Sequence, residues 1–331
     1  HTLALTGPVK NLLRRMASIP KTPTGAIVAV TFVASCASYL NWGFGLVVGA
    51  LYSRELARQI PKVDYRLLIA SGYTGFVVWH AGLSGSIPLL LATGGPEVTK
   101  VVGGVIKGTI PIQETLFAPF TLIPAIVIIL TMPFVNRAMH PDPEHTVSID
   151  PKLLEENVEE NQATPNQTFA DKMENNRWIS LAISLMGFVY IGQYFMNLTN
   201  FNLNLNIVIS IFLFLGILFH ETPRKFLNAF AVASKGAGPI LLQFPFYAGI
   251  MGMMVGKSAD GVSLAALMSQ FFVQISTETT FPFYTFLSAG LVNFFVPSGG
   301  GQWAVQAPIM MPAGAQLGVP AAKTAMAIAW G

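Results

Sequence analysis

The chain has 331 residues, of which 52% are hydrophobic and only 11% are charged, and its formal net charge is +3. Soluble domains carry roughly 25% charged residues, because charge is needed to cover a water-facing surface. The composition therefore excludes an ordinary soluble globule. It also excludes a disordered chain, which needs low hydrophobicity and high charge.

Most of the charges lie in three short segments, 10–22, 53–66 and 136–177. Apolar segments joined by charged connectors are typical of an integral membrane protein. The basic residues lie beside apolar runs, where they indicate topology, so we expect a lipid bilayer and no nucleic acid as a partner. The one cysteine, Cys36, lies in an apolar run and is interpreted as a small buried hydrophobe.

The apolar runs fall into two halves. We predict a first repeat over 1–135, made of an amphipathic arm, a hairpin, a broken helix and a span at 10–19, 24–52, 66–94 and 113–135. We predict a second repeat over 178–331, with spans at 178–197 and 204–220, an arm at 224–235, a run at 239–275, a broken helix at 280–314 and the start of a last helix at 320–331. Both termini are expected to be truncated, since the chain begins without Met and ends inside an apolar run.

Between the halves, residues 136–177 are rich in Asp, Glu, Asn, Gln and Pro. This composition predicts an exposed acidic linker, and a solvated loop without chemistry is the simplest interpretation of it.

The apolar run 24–52 is too long for one plain span, which needs about 20 residues. Basic residues flank it on both sides, and positive loops prefer the cytoplasm, so both of its ends are expected there. This favours a re-entrant hairpin of two half-length helices with its tip at 41–45. A single tilted span is the alternative.

Two other runs are interrupted, at 80–86 and at 297–302, where three consecutive glycines occur. Glycine costs about 1 kcal/mol relative to alanine inside a helix, and hydrocarbon penalises unpaired backbone groups. Such breaks persist inside protein or against a polar cavity. Paired interruptions in two halves indicate a transporter built from inverted repeats, so the predicted fold is an all-α polytopic membrane protein of that kind.

Enzyme signatures are weak in this sequence, which carries no dinucleotide fingerprint, P-loop or His-Glu-x-x-His motif. A membrane-embedded hydrolase using Ser84 or Ser298 with His80 is conceivable, but the spacing of a triad does not support it. We expect no enzyme, no cofactor and no metal site.

The breaks suit the binding of an anion. N-termini of half-helices present unpaired N–H groups and positive partial charge, and glycine allows a ligand to approach the backbone. Neutral donors with apolar surroundings suit one carboxylate on a short aliphatic tail. The candidate substrate-binding residues are Asn41, Trp79, His80, Gly82, Ser84, Ser86, Ser298, Gly299, Gly300, Gly301, Gln302 and Trp303.

Structural alternatives exist for most of these residues. The three glycines could serve a tight helix contact, and both tryptophans could be packing residues or interfacial anchors. His80 could donate to a backbone carbonyl, and Asn41 and Gln302 could cap half-helices without touching a ligand.

Coupling to an ion has two candidate side chains. His80 has an unperturbed pKa near 6.5 and could move a proton with the anion, and Glu278 is the second candidate. A sodium site of carbonyls and hydroxyls at the breaks is equally possible, so H⁺ and Na⁺ both stay open.

Four segments carry a family resemblance. Residues 41–50, 79–88, 243–254 and 297–306 read NWGFGLVVGA, WHAGLSGSIP, QFPFYAGIMGMM and PSGGGQWAVQ. With these motifs the chain resembles the bacterial short-chain fatty acid transporters of the acetoacetate and butyrate permease type. The resemblance runs over nearly the whole sequence.

This resemblance implies a multi-pass carrier of the bacterial inner membrane that takes up small monocarboxylates. It also implies a relation to a wider superfamily of ion transporters, which use inverted repeats, an elevator-like transport domain, two re-entrant hairpins (here 24–52 and 239–275) and often a homodimer. The expected function is secondary active transport of short-chain fatty acids by alternating access, coupled to H⁺ or Na⁺. A dicarboxylate or other organic-anion carrier, or less readily an anion channel, is the alternative.

Overall fold

A computed structural model describes residues 1–154, 168–198, 201–235 and 238–331, and these ranges are helical without β-strands. The α-helices in the described ranges are α1 Gly7–Ala17, α2 Pro23–Leu40, α3 Trp42–Gln59, α4 Tyr65–Thr74, α5 Ser86–Thr93, α6 Pro96–Val101, α7 Pro119–Ala138, α8 Phe169–Glu174, α9 Arg177–Met196, α10 Leu205–Phe219, α11 Pro223–Ser234, α12 Gly238–Val255, α13 Leu264–Ile275, α14 Phe281–Phe295, α15 Gly299–Gln316 and α16 Ala321–Trp330. Short 3₁₀ helices lie at Thr2–Leu5, Gly75–Ala81, Pro143–His145 and Pro151–Leu154.

Within the described ranges, four helical segments are long and apolar enough to cross a membrane: Pro23–Leu40, Tyr65–Thr93, Pro119–Ala138 and Arg177–Met196. Shorter apolar helices lie at Leu205–Phe219, Leu241–Val255, Leu264–Ile275 and Phe281–Phe295. The helices α7 and α9 leave large apolar side chains such as Ile123, Leu130 and Leu185 exposed, as a lipid-facing surface requires. The chain is therefore built as a helical membrane protein.

Helix starts follow local capping chemistry. The Thr22 hydroxyl accepts the Gly25 N–H ahead of α2, and the Thr222 hydroxyl accepts the Lys225 N–H ahead of α11. Each threonine is followed by a proline, whose fixed φ suits the first helical position. The predicted span 113–135 becomes a turn-rich segment and then α7, which begins at Pro119.

The structure divides into two compact units. The first comprises His1–Gly82, Ala125–Phe201 and Ile207–Lys235, and the second comprises Leu83–Pro124, Asn202–Asn206 and Gly236–Gly331. The division falls inside the predicted broken helix 66–94, whose two helical parts, α4 and α5, belong to different units.

In the first unit, α2 packs along α3, α4 and the 3₁₀ helix Gly75–Ala81. The apolar core contains Ile27, Val30, Leu56 and Leu68, all of which are fully buried. The predicted hairpin 24–52 is two helices, α2 and α3, which meet at Asn41.

A buried polar cluster joins three helices of this unit. The Asn136 Nδ2 group on α7 donates to Thr31 Oγ1 on α2 at 3.1 Å and to Thr74 Oγ1 on α4 at 2.6 Å. Each threonine hydroxyl donates its own proton to a backbone carbonyl, that of Ile27 or Ser71. The hydroxyl oxygens are thus free to accept, and the donor and acceptor roles agree.

The start of the predicted acidic linker is docked on the first unit. The Val147 N–H donates to Asp64 Oδ2 at 2.8 Å, and the Tyr65 N–H donates to the Val147 carbonyl at 2.8 Å. The Leu154 carbonyl accepts from the guanidinium groups of Arg54 and Arg58, and the Leu154 side chain is buried. We call residues 139–154 the strap. Linker residues 155–167 lie outside the described residues.

In the second unit, α15 packs against α12, α13, α14, α16 and α5. Its apolar core includes Ile87, Leu91, Phe281, Met310 and Met326. Pro308 and Pro312 lie inside α15, and each removes one backbone donor from the helix. The predicted broken helix 280–314 is two separate helices, α14 and α15, joined at 296–298.

Candidate functional site

The predicted site residues fall in both units, and each group is described by itself. The first unit holds Asn41, Trp79, His80 and Gly82, and the second holds Ser84, Ser86, Ser298, Gly299, Gly300, Gly301, Gln302 and Trp303. Both groups lie at helix ends.

Asn41 ends α2 and begins α3. Its Oδ1 accepts the Phe44 N–H at 3.0 Å, and its carbonyl accepts the Gly45 N–H at 2.8 Å. The side chain therefore caps α3, as one alternative interpretation held.

The Trp79 and His80 rings stack with a centroid distance of 4.1 Å and an interplanar angle of 6°. Trp79 also stacks on Phe76 at 5.4 Å and meets Trp42 edge-on at 6.1 Å. His80 is buried. The imidazole thus belongs to an aromatic stack beside the start of α3.

Gly82 makes a tight backbone contact in the first unit. A Cβ added at Gly82 would lie 2.3 Å from the carbonyl oxygen of Tyr39. Every larger residue is excluded there by packing, whatever else this position does.

The start of α15 lies in the second unit. The Ser298 hydroxyl accepts the Gly301 N–H at 3.4 Å, and the Ser298 carbonyl accepts the Gln302 N–H at 2.7 Å. The N–H groups of Gly299 and Gly300 have no intrahelical acceptor, and the helix dipole concentrates positive charge at this end.

The glycines of this turn also face α12. A Cβ at Gly301 would lie 2.5 Å from ring carbons of Tyr247, whereas a Cβ at Gly300 would lie 3.4 Å from the Phe244 ring. Gly301 is therefore required by helix packing, and Gly300 has room for a methyl group.

Gln302 connects three helices of the second unit. Its Nε2 group lies 3.0 Å from the Ala289 carbonyl, 3.1 Å from Gln306 Oε1 and 3.3 Å from the Ile328 carbonyl. Its Oε1 accepts from Asn293 Nδ2 at 2.7 Å. In this conformation the amide is fully engaged with protein, so Gln302 holds the start of α15 in place.

Trp303, unlike Gln302, has a buried polar group without a hydrogen bond among the described residues. Its side chain is 3% exposed and packs in the apolar core of the second unit, yet its indole Nε1 has no hydrogen-bond partner among the described residues. A buried donor without an acceptor costs about 1–3 kcal/mol. Trp303 therefore offers a desolvated donor in the second turn of α15.

The remaining predicted residues lie at two turns. Ser84 is buried just before α5, and Ser86 is the first residue of α5. Glu278 is exposed in the turn that precedes α14, where the Thr277 and Thr280 hydroxyls bond each other at 3.1 Å.

The sequence did not predict the Asn136 cluster, nor the contacts of Tyr247 and Phe244 with the glycines of α15. A signal for Asn136 was present, because Asn136 and Arg137 are strongly polar residues near the end of an otherwise apolar helix. Phe244 and Tyr247 lie in the motif QFPFYAGIMGMM at 243–254, but nothing in that motif indicated that their rings would face the glycines of α15. Among the described residues, no three His, Cys, Asp or Glu side chains come together as metal ligands.

Comparison with known proteins identifies relatives over the whole sequence. The family model described as "Short chain fatty acid transporter" matches residues 1–331. A protein of Escherichia coli K12 is 43% identical over 332 residues, which cover 100% of this chain and 73% of that protein. A protein of Haemophilus influenzae is 40% identical over 334 residues, with the same coverage, and both proteins are named "Putative short-chain fatty acid transporter". No solved structure matches.

Proposed function

The chain belongs to the short-chain fatty acid transporter family, and from that premise we propose that it is a secondary active carrier of small monocarboxylates such as butyrate and acetoacetate. The carrier works by alternating access in the bacterial inner membrane, coupled to H⁺ or Na⁺. The apolar helices of the described residues support a protein of the bilayer.

The start of α15 is the proposed carboxylate site, and the observation that carries it is the unpartnered indole N–H of Trp303. The N–H groups of Gly299 and Gly300 point toward the N-terminal end of the same helix, where anions are stabilised. These are neutral donors, so an anion can bind without a cationic side chain buried in the membrane, which would be costly.

The surroundings of Trp303 support a ligand with one charged end. Trp303 belongs to the apolar core of the second unit, which also contains Ile87, Ala307 and Met310. An aliphatic tail of a few carbons gains about 0.8 kcal/mol for each methylene group buried in such an environment. A second carboxylate placed there would lack donors and would be expelled.

Correspondence between two helix pairs supports alternating access through structural repeats. The helices α3 and α15 are each 18 residues long, and each begins directly after a side-chain cap, Asn41 or Ser298. Each is preceded by an apolar helix, α2 or α14, and is followed after a short loop by another helix, α4 or α16. An elevator-like movement and a homodimer, which the family resemblance implies, belong to the same proposal.

Counterflow in proteoliposomes tests the carrier mechanism. Butyrate loaded inside the vesicles should accelerate uptake of labelled butyrate, because a carrier returns faster when loaded. A flux that is ohmic and insensitive to internal butyrate would contradict the carrier and favour a channel. Succinate should compete poorly for uptake, and strong competition would favour a dicarboxylate carrier.

A further inference from the structure

The second unit contains a cavity separate from the start of α15. Its volume is about 310 Å³, and its walls come from the end of α6, the following loop, the end of α12, the first half of α13 and the second half of α15. The lining residues used below are Lys100, Gly103, Ser269, Gln270, Pro312 and Gln316. This volume lies at the small end of ligand pockets, which span about 300–1,000 Å³.

The polar groups of the cavity suit an anion. Lys100 supplies one ammonium group, and no acidic side chain is among the described residues that line the cavity. Ser269 is 3% exposed, and its hydroxyl has no hydrogen-bond partner among the described residues. The amides of Gln270 and Gln316 add neutral donors.

The helix ends at the cavity agree with this charge. Ala265 and Ala266, in the first turn of α13, line the cavity, so the positive end of that helix dipole is close to it. The C-terminal end of the opposing helix, α15, also lies at the cavity and would repel an anion. Its carbonyls at Gly314 and Ala315, however, already accept the N–H groups of Val319 and Gly318. At the start of α13 the Ser263 hydroxyl accepts the Ala266 N–H at 3.2 Å, so the N–H groups of Leu264 and Ala265 are the helix donors left for a ligand.

Glycine and proline shape one side of the cavity. Gly103 has a φ of +64°, which favours glycine, and a Cβ there would lie 3.5 Å from Pro312 Cγ. Pro308 and Pro312 line the facing surface of α15.

We propose that this cavity is a second carboxylate-binding site, which holds the charged end of a small monocarboxylate between Lys100, Ser269 and the start of α13. The proposal goes beyond the transport site at Gly299–Trp303 and shares only its ligand class. Apolar groups of Val101, Val255 and Pro308 line the rest of the cavity and suit a short aliphatic tail.

Thiol protection tests the site directly, because the sequence has a single cysteine, Cys36. In a Cys36→Ser background, Ala266→Cys places a thiol in the cavity wall, and a separate Gly300→Cys variant places one at the start of α15. Each full-chain variant is placed in nanodiscs of zwitterionic lipid, and its modification by N-ethylmaleimide is timed with butyrate or with the neutral butyramide.

Butyrate should slow modification of the Ala266→Cys thiol, and butyramide should not. Adding Lys100→Gln should raise the half-protecting butyrate concentration by about tenfold, the effect of one charge-assisted hydrogen bond, and Lys100→Arg should restore it. Ser269→Ala should raise it severalfold. Protection of the Gly300→Cys thiol should be unchanged by Lys100→Gln.

The outcomes separate the two sites. Protection at Gly300→Cys but none at Ala266→Cys overturns the second site and leaves the transport site intact. If Lys100→Gln leaves the protection of the Ala266→Cys thiol unchanged, the second site is also overturned, because the protection would then come from a change of conformation. Protection at Ala266→Cys without protection at Gly300→Cys supports the second site, and butyrate uptake by the Trp303→Phe variant then decides the transport site, because the cysteine at Gly300 could itself block binding there.

Discussion

Gly301 and Tyr247 lie so close that a methyl group on Gly301 would come within 2.5 Å of the Tyr247 ring. Tyr247 is itself buried, and its hydroxyl donates to Gln243 Oε1 at 3.1 Å. The ring therefore cannot turn away without losing a hydrogen bond. This contact explains by packing why the third of the three consecutive glycines is a glycine.

We accordingly expect Gly301→Ala to destabilise the protein by about 1–3 kcal/mol through overpacking. Gly300→Ala is the matched control, because its added methyl group would make an ordinary contact with Phe244. Thermal unfolding in detergent measures both variants. Tyr247→Val should rescue Gly301→Ala, and equal stability of the two alanine variants would contradict the packing role.

Trp303→Phe tests the indole donor. The substitution keeps an aromatic ring in the core and removes an N–H group that has no partner among the described residues, so relief of the unpaired donor should offset part of the packing lost with the smaller ring. If the N–H binds the carboxylate, the KM for butyrate should rise about tenfold, as expected when one hydrogen bond to a charged group is removed.

Trp178→Phe serves as the control for Trp303→Phe, because Trp178 is an exposed tryptophan at the start of α9. Both variants are assayed by uptake of labelled butyrate in proteoliposomes. An unchanged KM in Trp303→Phe would remove the indole from the site.

Asn136→Leu should destabilise the first unit by about 1–3 kcal/mol, because the Thr31 and Thr74 hydroxyl oxygens would lose their buried donor. Thr131→Val on the same helix is the control, since Thr131 is exposed and its hydroxyl donates to the Val127 carbonyl of its own helix. Thermal unfolding compares them. Equal unfolding temperatures would show that the cluster contributes nothing to stability.

Asp64 should make stability depend on pH. Burial raises the pKa of the Asp64 carboxyl, but hydrogen bonds from the N–H groups of Val147 and Leu67 and from Arg66 outweigh burial and lower the pKa below its usual value of 3.8. A lowered pKa in the folded state stabilises the fold above the ordinary pKa, and this contribution is lost as pH falls through the folded value.

The unfolding temperature of the wild-type protein should therefore fall as the pH drops below about 4. In Asp64→Asn it should be lower at pH 7 and less sensitive to acid. Asp142→Asn, which alters an exposed carboxyl of the strap, should follow the wild-type curve. An acid response of Asp64→Asn that matches the wild type would contradict the role of this carboxyl.

His80 allows proton coupling to be separated from ring stacking. His80→Gln removes the titratable group and the ring, whereas His80→Phe keeps a ring that can stack on Trp79. If His80 carries the coupled proton, both variants should flatten the pH dependence of butyrate uptake. If His80→Phe keeps the pH dependence of the wild-type protein, the role of His80 is packing in the aromatic stack. Glu278 or a sodium ion would then be the candidate for coupling.

Local chemistry in the sequence marks where two of the helices begin. Asn41 and Ser298 stand directly before glycine-containing turns, and both side chains cap the helices that follow. The glycine triplet was read as an interruption within one helix. It is instead the first turn of α15. The connection between α14 and α15 is only three residues long, so the boundary between the two helices can be recognised only once both are placed.

Contacts distant in sequence were beyond prediction. The Gln302 amide donates to the backbone carbonyls of Ala289 and Ile328. Every residue has such a carbonyl, so the side-chain pattern of the sequence could not predict these hydrogen bonds. The cavity beside Lys100 likewise joins segments more than 150 residues apart in the sequence. Capping depends on neighbours, whereas such sites depend on tertiary packing.

The strap is held mainly through its own main chain, at the Val147 N–H and carbonyl and at the Leu154 carbonyl. Side chains hold it at only a few positions: Leu154 and Ile149 pack on the core of the first unit, and the His140 ring accepts the Asp64 N–H. The other residues of the strap can therefore vary more readily than the partners Asp64, Arg54 and Arg58. Its length is not free, because inserting or deleting one residue between Val147 and Leu154 would move one anchor out of register. Val147→Pro, which removes the anchoring N–H, would release it as well.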